Sequence, residues 1–368
     1  MKICVITPRY MISGVALAQY RFARALVGQG HDVDLVIGRV DPHLTVPPAP
    51  GLNIVTLNKP NVRSLFFPVW RYLRAAKPEV VFSAEDHLNA LVLLIAILSG
   101  SKAKISGSCR VRPFDTYSNV PFTKRWFLKQ VMRAVTWRAD ALTCVSKDMV
   151  EQYRQVFDAP PHVCIYNIIQ DKSSTQRMRE PVDDPWFEAG QDPVLVAAGT
   201  LAPWKGFDDL LDAIAVLKAR GRMVRLTILG EGPLRTHLEE KVVSLALSDR
   251  VRLPGFTTNT LKYFSRADAF VLSSHVEGLP NVLVEAMMCG LTPVATDCPT
   301  GPREVLQDGR YGYLVPVRDP AGLADGIERA LAAPIPPEVL AEGVAPFEEQ
   351  TVIRRHFEVL GLAEPIAA

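Results

Sequence analysis

Two carboxylates eight positions apart bracket the stretch Glu277-Gly278-Leu279-Pro280-Asn281-Val282-Leu283-Val284-Glu285. Gly278 and Pro280 belong to a loop, Asn281 is placed to cap a helix, Val282 to Cys289 has the composition of a short apolar helix, and Gly290 fits its stop. A helix start offers unpaired N–H groups and a partial positive charge, the elements of an anion seat. With a diphosphate over the N–H groups of Asn281, Val282 and Leu283, Glu285 could hold the hydroxyls of one sugar and Glu277 those of another. A nucleotide sugar has that chemistry. The spacing alone equally fits an ordinary loop and helix with two solvated glutamates.

Two further groups bear on the choice. Gly199-Thr200-Leu-Ala-Pro-Trp-Lys205-Gly206 joins a strand to a helix and supplies a lysine, a point charge suited to phosphate. Gly230-Glu-Gly-Pro233 closes the next strand, where small residues leave room for a base or ribose. Each is also what a strand-to-helix turn requires for its own sake, but together they fall at successive strand ends of one domain. Gly14, ahead of the first helix, would let a phosphate approach the backbone.

The elements that must position these residues follow a repeated rhythm. Lys2 to Thr7 is an apolar strand, the next helix carries Ala16, Tyr20, Ala23 and Val27 on one stripe, and His31 to Gly38 is a strand again. Strands are also expected at 51–57, 78–83, 141–146 and 163–169. A second strand, helix, strand unit starts at Pro193 and runs through Val224 to Gly230, and another strand covers 291–296. The pattern predicts an α/β chain of two Rossmann-like, doubly wound domains facing each other across a cleft, with ligands at the carboxyl ends of the strands. Expected boundaries are 1–170 for the first domain, to which the family resemblance given below assigns acceptor binding, 171–192 for a polar, proline-bearing linker, 193–333 for the nucleotide-sugar domain, and 334–368 for a C-terminal segment that crosses back onto the first.

Bulk properties agree with a two-domain enzyme. The chain has 368 residues, 48% hydrophobic and 22% charged, with formal net charge +2, a length beyond what one core usually supports. A near-neutral balance without a recognition motif argues against nucleic acid as a partner. The six cysteines show no C-x-x-C pair and are expected as reduced core thiols in a cytoplasm. No signal-peptide core follows the first strand, and the apolar run Leu88 to Leu98 is short of the roughly 20 residues a spanning helix needs. Aromatic and basic helices are expected at 63–74 and 121–138. Such helices rest on anionic membrane surfaces, or pack on a core with a solvated basic face.

With Lys205-Gly206, Gly230-x-Gly-Pro233, Glu277-x7-Glu285 and Gly301-Pro-Arg-Glu in order, the chain resembles the retaining glycosyltransferases of family 4, which have the GT-B fold. The likeness is dense across Val194 to Leu331 and looser across the first domain. It implies that Glu285 binds the nucleotide's ribose, that Glu277 contacts the transferred sugar, that Lys205 binds the diphosphate, and that Gly14 lies near the phosphates. The family often has arginine where this chain has Thr200, so Arg303 or Arg110 is a candidate for the missing cation. Many members place a histidine at the end of the strand that precedes Ser83-Ala-Glu85-Asp86-His87. His87 falls a few residues late, so acceptor binding is open to His87 or to Glu85 and Asp86, with Arg110 nearby. The segment from Val80 to Arg110 is similar to members that extend lipid-linked oligosaccharides for cell-surface glycans.

The resemblance implies transfer of a hexose or N-acetylhexosamine from a nucleoside diphosphate sugar, expected to be UDP-linked, to a sugar hydroxyl of a lipid-linked glycan with retention at the anomeric carbon. Catalysis would rest on Glu277 and Lys205, with no cofactor beyond the donor itself and no divalent metal. Asp32-Val-Asp34, the one Asp-x-Asp, is expected to be structural. The protein would be cytoplasmic or peripheral on the cytoplasmic membrane face. Rival classes are another enzyme on the scaffold, an epimerase or a phosphorylase, and a non-catalytic nucleotide-sugar binder.

Overall fold

In the computed structural model, residues 1–11, 14–157, 162–188 and 192–362 are described. The chain divides into two compact units, one of Met1–Asp171 with Phe347–Ala368 and one of Lys172–Pro346.

The first unit is a sheet of seven parallel strands: β1 (Lys2–Thr7), β2 (Asp32–Ile37), β3 (Leu52–Thr56), β4 (Val80–Ala84), β5 (Lys104–Cys109), β6 (Ala141–Cys144) and β7 (His162–Cys164), in the order β3-β2-β1-β4-β5-β6-β7. The residues β1 aligns with β2 run from Lys2 against Asp32 to Thr7 against Ile37. Its inner strands β1, β2 and β4 are buried on both faces almost throughout, which suits their valine and isoleucine content better than an alternating pattern would. Asp34 is 5% exposed and accepts hydrogen bonds from Asn53 and Tyr72. The helix Glu349–Val359 completes this unit, placing Val352, Ile353 and Phe357 in the same core as Ala23 and Leu26 of helix Gly14–Gly28.

The second unit holds β8 (Val194–Ala198), β9 (Arg225–Leu229), β10 (Val251–Gly255), β11 (Ala269–Leu272), β12 (Thr292–Thr296) and β13 (Tyr313–Val315), all parallel, in the order β10-β9-β8-β11-β12-β13. Leu210, Leu211, Ile214 and Leu217 of helix Phe207–Ala219 close one face of its core, as their spacing dictates. Helix Pro337–Val344 belongs to this unit and packs on helix Asn281–Met288, so only the last part of the 334–368 segment joins the first unit.

The stretch expected as linker is fastened to the second unit. Asn259 donates to the Arg177 carbonyl at 2.8 Å, Asp184 pairs with Arg252 at 2.6 Å, and Arg252 lies 4.1 Å over the Trp186 ring. Side chain to backbone bonds and cation–π contacts hold it, and neither leaves an apolar period in the sequence.

In each sheet the strand order reverses once, between β1 and β4 and between β8 and β11. At such a point neighbouring connections leave in opposite directions and open a crevice at the carboxyl edge.

Candidate active site

The reversal in the second unit brings the two loops singled out by sequence together. After β8 the chain passes Gly199 and Thr200 to a single turn at Pro203–Lys205. After β11 it passes Ser273 and Ser274 to Glu277. The loops are stitched together: the Ser273 hydroxyl donates to the Lys205 carbonyl at 2.9 Å, and the His275 N–H to the Trp204 carbonyl at 2.8 Å. The His275 ring meets Asp209, in the first turn of the following helix, at 2.7 Å.

That stitching sets Lys205 Nζ 2.5 Å from Glu277 Oε1, with side chains only 16% and 10% exposed. The Ser274 hydroxyl donates to the same oxygen at 2.6 Å. The lysine stem lies over Gly199, whose missing side chain leaves room for it at about 3.3 Å. Burial lowers the local dielectric, which strengthens the pair and makes either partner alone costly, on the order of 3–5 kcal/mol.

The turn after β12 supports Glu277 from behind. The Thr300 hydroxyl donates to the Glu277 carbonyl. Gly301 has φ of +95°, and a Cβ there would meet Pro280 Cδ at 2.5 Å and the Gly278 carbonyl at 2.9 Å. Only glycine fits, which explains the first residue of Gly301-Pro-Arg-Glu. Gly230 answers a similar demand: a Cβ there would fall 1.9 Å from the Gly199 carbonyl oxygen.

Glu285 lies in helix Asn281–Met288, 7% exposed, and accepts from the Thr260 hydroxyl at 2.9 Å. The helix begins one residue earlier than its letters indicate: Pro280 is the N-cap, without a side-chain cap bond, and Asn281 is the first helical residue. The Asn281 N–H donates to the Leu279 carbonyl and the Leu283 N–H to that of Pro280. The Pro280 turn thus closes on itself, and two of the three N–H groups assigned to the anion seat already have partners. Gly278 keeps open space on its side-chain side, and Val282 is half-buried at the helix start.

The candidate replacements for the missing cation are engaged elsewhere. Arg303 pairs with Asp297 and Asp308. Arg110, in the first unit, donates to Asn167, and burial pulls its guanidinium down to about 10. Thr200 is exposed at the end of β8.

The acceptor candidates separate. Glu85 follows β4 with φ of +77°, a strained conformation for a residue with a side chain. It is half-buried, and burial raises its carboxyl pKa against the opposing pull of Arg9 and Arg110. Asp86 faces inward at 2% exposure, taking hydrogen bonds from Tyr117 at 2.6 Å and Tyr153 at 2.8 Å. His87 points outward. The first unit therefore brings Glu85 and Arg110 together and withdraws Asp86, because the two tyrosines satisfy its carboxylate inside the core. Gly14 is the exposed first residue of its helix.

Sequence reasoning missed Ser274, Thr260 and Cys298. Cys298 is a buried thiol pushed up to about 12, chiefly by burial and then by the neighbouring Glu277 carboxylate. Thr260 precedes a four-residue helix, Leu261–Phe264, that carries no motif.

Two parallel doubly wound sheets, the second with a lysine and carboxylates at its reversal point, define a two-domain α/β protein of GT-B fold. Residues 192–333 match the glycosyl transferases group 1 family, and residues 13–167 match the glycosyl transferase 4-like domain. The chain belongs to the family 4 glycosyltransferases of GT-B fold. It is 32% identical over 196 residues to the N-acetylgalactosamine-N,N'-diacetylbacillosaminyl-diphospho-undecaprenol 4-alpha-N-acetylgalactosaminyltransferase of Campylobacter jejuni, covering 53% of this chain and 51% of that protein. It is 36% identical over 140 residues to the lipopolysaccharide core biosynthesis glycosyltransferase LpsE of Rhizobium meliloti, covering 38% and 40%. The chain thus spans about half the length of the curated relatives it matches. Among solved structures, the Anabaena protein HepE in complex with UDP superposes with a TM-score of 0.72 at 17% identity, over 98% of this chain and 100% of that one. The lipopolysaccharide outer core galactosyltransferase WaaB in its apo form does so with the same TM-score at 16% identity, over 98% and 99%.

Proposed function

We propose that the protein is a retaining glycosyltransferase that moves a hexose or N-acetylhexosamine from a UDP-sugar to a hydroxyl of a lipid-linked glycan. The observation that carries this is the Lys205–Glu277 pair, with Ser274 on the same carboxylate, at the strand-order reversal of the second unit. The roles follow from charge. A donor diphosphate competes with Glu277 for the Lys205 ammonium, which has three N–H donors and can serve both. Glu277, relieved of part of its counter-ion, turns its acceptor capacity to the hydroxyls of the sugar being transferred. As the glycosidic bond lengthens, negative charge grows on the leaving phosphate and Lys205 stabilises it, an effect worth several kcal/mol in a water-poor site. Glu285, fixed by Thr260, accepts from the ribose hydroxyls.

The leaving phosphate itself takes the acceptor proton on the attacked face, so retention needs no separate base and the charge on the diphosphate needs no divalent ion. The UDP assignment is supported by the UDP complex of HepE, and the lipid-linked acceptor by the name of the Campylobacter relative. Among the described residues no helix is long and apolar enough to cross a membrane. A peripheral contact through the aromatic and basic helices of the first unit would bring a lipid-linked acceptor to the site.

The test is a screen of UDP-sugars for slow hydrolysis with liberated UDP measured, first alone and then with lipid-linked oligosaccharide acceptors, in the presence of a chelator. UDP release with one sugar, accelerated by acceptor and insensitive to chelation, is the expected result. Interconversion of donor without UDP release, or a requirement for inorganic phosphate, would assign an epimerase or a phosphorylase. The anomeric configuration of the product, read by NMR, decides retention.

A further inference from the structure

The first sheet carries a second constellation that the transfer chemistry does not use. Cys109 ends β5 and Cys144 ends β6 as its register partner, while His162 opens β7 opposite Leu142. Two sulfurs and an imidazole nitrogen from these residues lie within 4.8 Å of one another. The cysteines are fully buried and the histidine is 6% exposed. Neither ring nitrogen of His162 has a hydrogen-bond partner among the described residues. A buried polar group left so costs about 1–3 kcal/mol, and this ring has two of them.

We propose that Cys109, Cys144 and His162 supply three ligands to a zinc ion that ties β5, β6 and β7 together, with a water molecule in the fourth position. Zinc takes thiolate and imidazole donors at about 2.3 and 2.0–2.1 Å in a tetrahedral arrangement, which sets donor atoms about 3.6–3.8 Å apart. The present separations, none above 4.8 Å, need to close by no more than about 1 Å. The charge balances as well: two thiolates and a neutral imidazole cancel Zn2+, the combination a dry interior tolerates. Both thiol protons leave to solvent on binding, and the metal supplies the free energy that a bare buried thiolate lacks.

The surroundings fit a held site. Asp86 lies against the Cys109 thiol and is fixed by Tyr117 and Tyr153. Tyr153 also packs on the His162 ring at 4.5 Å. The spacing is invisible to a search for C-x-x-C, since the three ligands come from three strands and meet only through sheet register.

The site lies in the first unit, apart from Lys205 and Glu277, and its test does not read transfer activity. Full-length reduced protein is titrated with Zn2+ against a chromogenic chelator, and separately with Co2+. One equivalent should bind, with thiolate-to-cobalt charge-transfer absorption and the visible bands of tetrahedral cobalt. Loss of an outer-shell partner alone costs about 10- to 100-fold in metal affinity, so Cys144→Ser and His162→Gln should each lose more than about 100-fold. Cys4→Ala, a buried thiol of β1, should change nothing. In case a ligand variant folds poorly, a second measurement uses the wild type: zinc should raise its unfolding temperature by mass action. No cobalt–thiolate absorption in the folded wild type overturns the proposal, as does unaltered affinity in folded His162→Gln, or a disulfide joining Cys109 to Cys144 in the non-reduced chain.

Discussion

His356 shows how one buried side chain couples this protein to pH. It projects from the C-terminal helix into the core of the first unit, 8% exposed, its ring 4.9 Å from that of Phe22 and 5.4 Å from that of Phe82. Burial first, and then the nearby Arg110 guanidinium, lower its pKa to about 3. The unfolded chain takes up this proton near pH 6.5 and the folded chain does not, so between those values the unfolded state binds more protons. Stability contributed by the neutral imidazole is thus complete above about pH 6.5 and is lost as pH falls toward 3, on the order of 3–5 kcal/mol in total. His356→Phe should flatten the acid limb of a plot of unfolding free energy against pH from 7 to 4, measured by denaturant titration. An unchanged slope would show that the ring is not held neutral. Other single residues differ in how well sequence announces them. Lys205, Glu277 and Glu285 sit in motifs of fixed spacing, whereas Ser274 and Thr260 act through the tertiary neighbourhood of a carboxylate and have no signature of their own.

At the scale of elements, the turn at 299–301 governs the site's main carboxylate. Thr300 and Gly301 both have positive φ, and Gly301 is wedged against Gly278, Leu279 and Pro280. Gly301→Ala should cost on the order of 1–3 kcal/mol from backbone strain and steric overlap. It should also lower kcat more than a remote change of equal cost, because the 277–280 loop must shift; thermal unfolding and UDP release on the same variant check both parts. A variant with normal stability and turnover would show that the loop does not depend on this contact. Apolar strands such as β1 and β8 are legible in the sequence because runs of valine, isoleucine and alanine bounded by turns have few other meanings. Four strands are not. β5 reads KISGSC and β10 reads VRLPG, both with residues that disfavour strands, while β11 and β13 are four and three residues long. Sheet neighbours on both sides hold those segments extended, a tertiary cause that local pattern does not carry. The one-residue error at the 281 helix start has a similar origin: Asn281 has the letters of a cap, but Pro280 in the turn before it takes that place.

At the scale of the whole molecule, the placement of charge and aromatic surface bears on where the chain works. Helices Phe66–Ala76 and Lys124–Val135 both pack on helix Asp86–Ser99 and leave Phe67 79% and Phe127 51% exposed, with Phe122 and Trp137 next to the second at 83% and 72%. Lys129 turns inward to Asn119, so the outward basic face is narrower than the letters imply. Peripheral docking predicts co-sedimentation with anionic liposomes that rising salt reverses; no binding, or binding unchanged at high salt, would contradict it. The two-unit α/β design was legible from its repeated strand and helix rhythm, while the assignment of 172–192 to the second unit and of Pro337–Val344 away from the first was not. Those segments are held by polar and cation–π contacts and by one helix pair, which periodicity does not record. The central claim is that Glu277 serves the transferred sugar while Lys205 serves the diphosphate. Its most direct test is Glu277→Gln, with UDP affinity measured by calorimetry and acceptor-dependent UDP release measured on the same preparation. The account predicts that release falls about 100- to 1,000-fold, the range for removing one group that stabilises the transition state, while UDP affinity is retained or rises. Transfer at near wild-type rate, or loss of UDP affinity in step with activity, would contradict it.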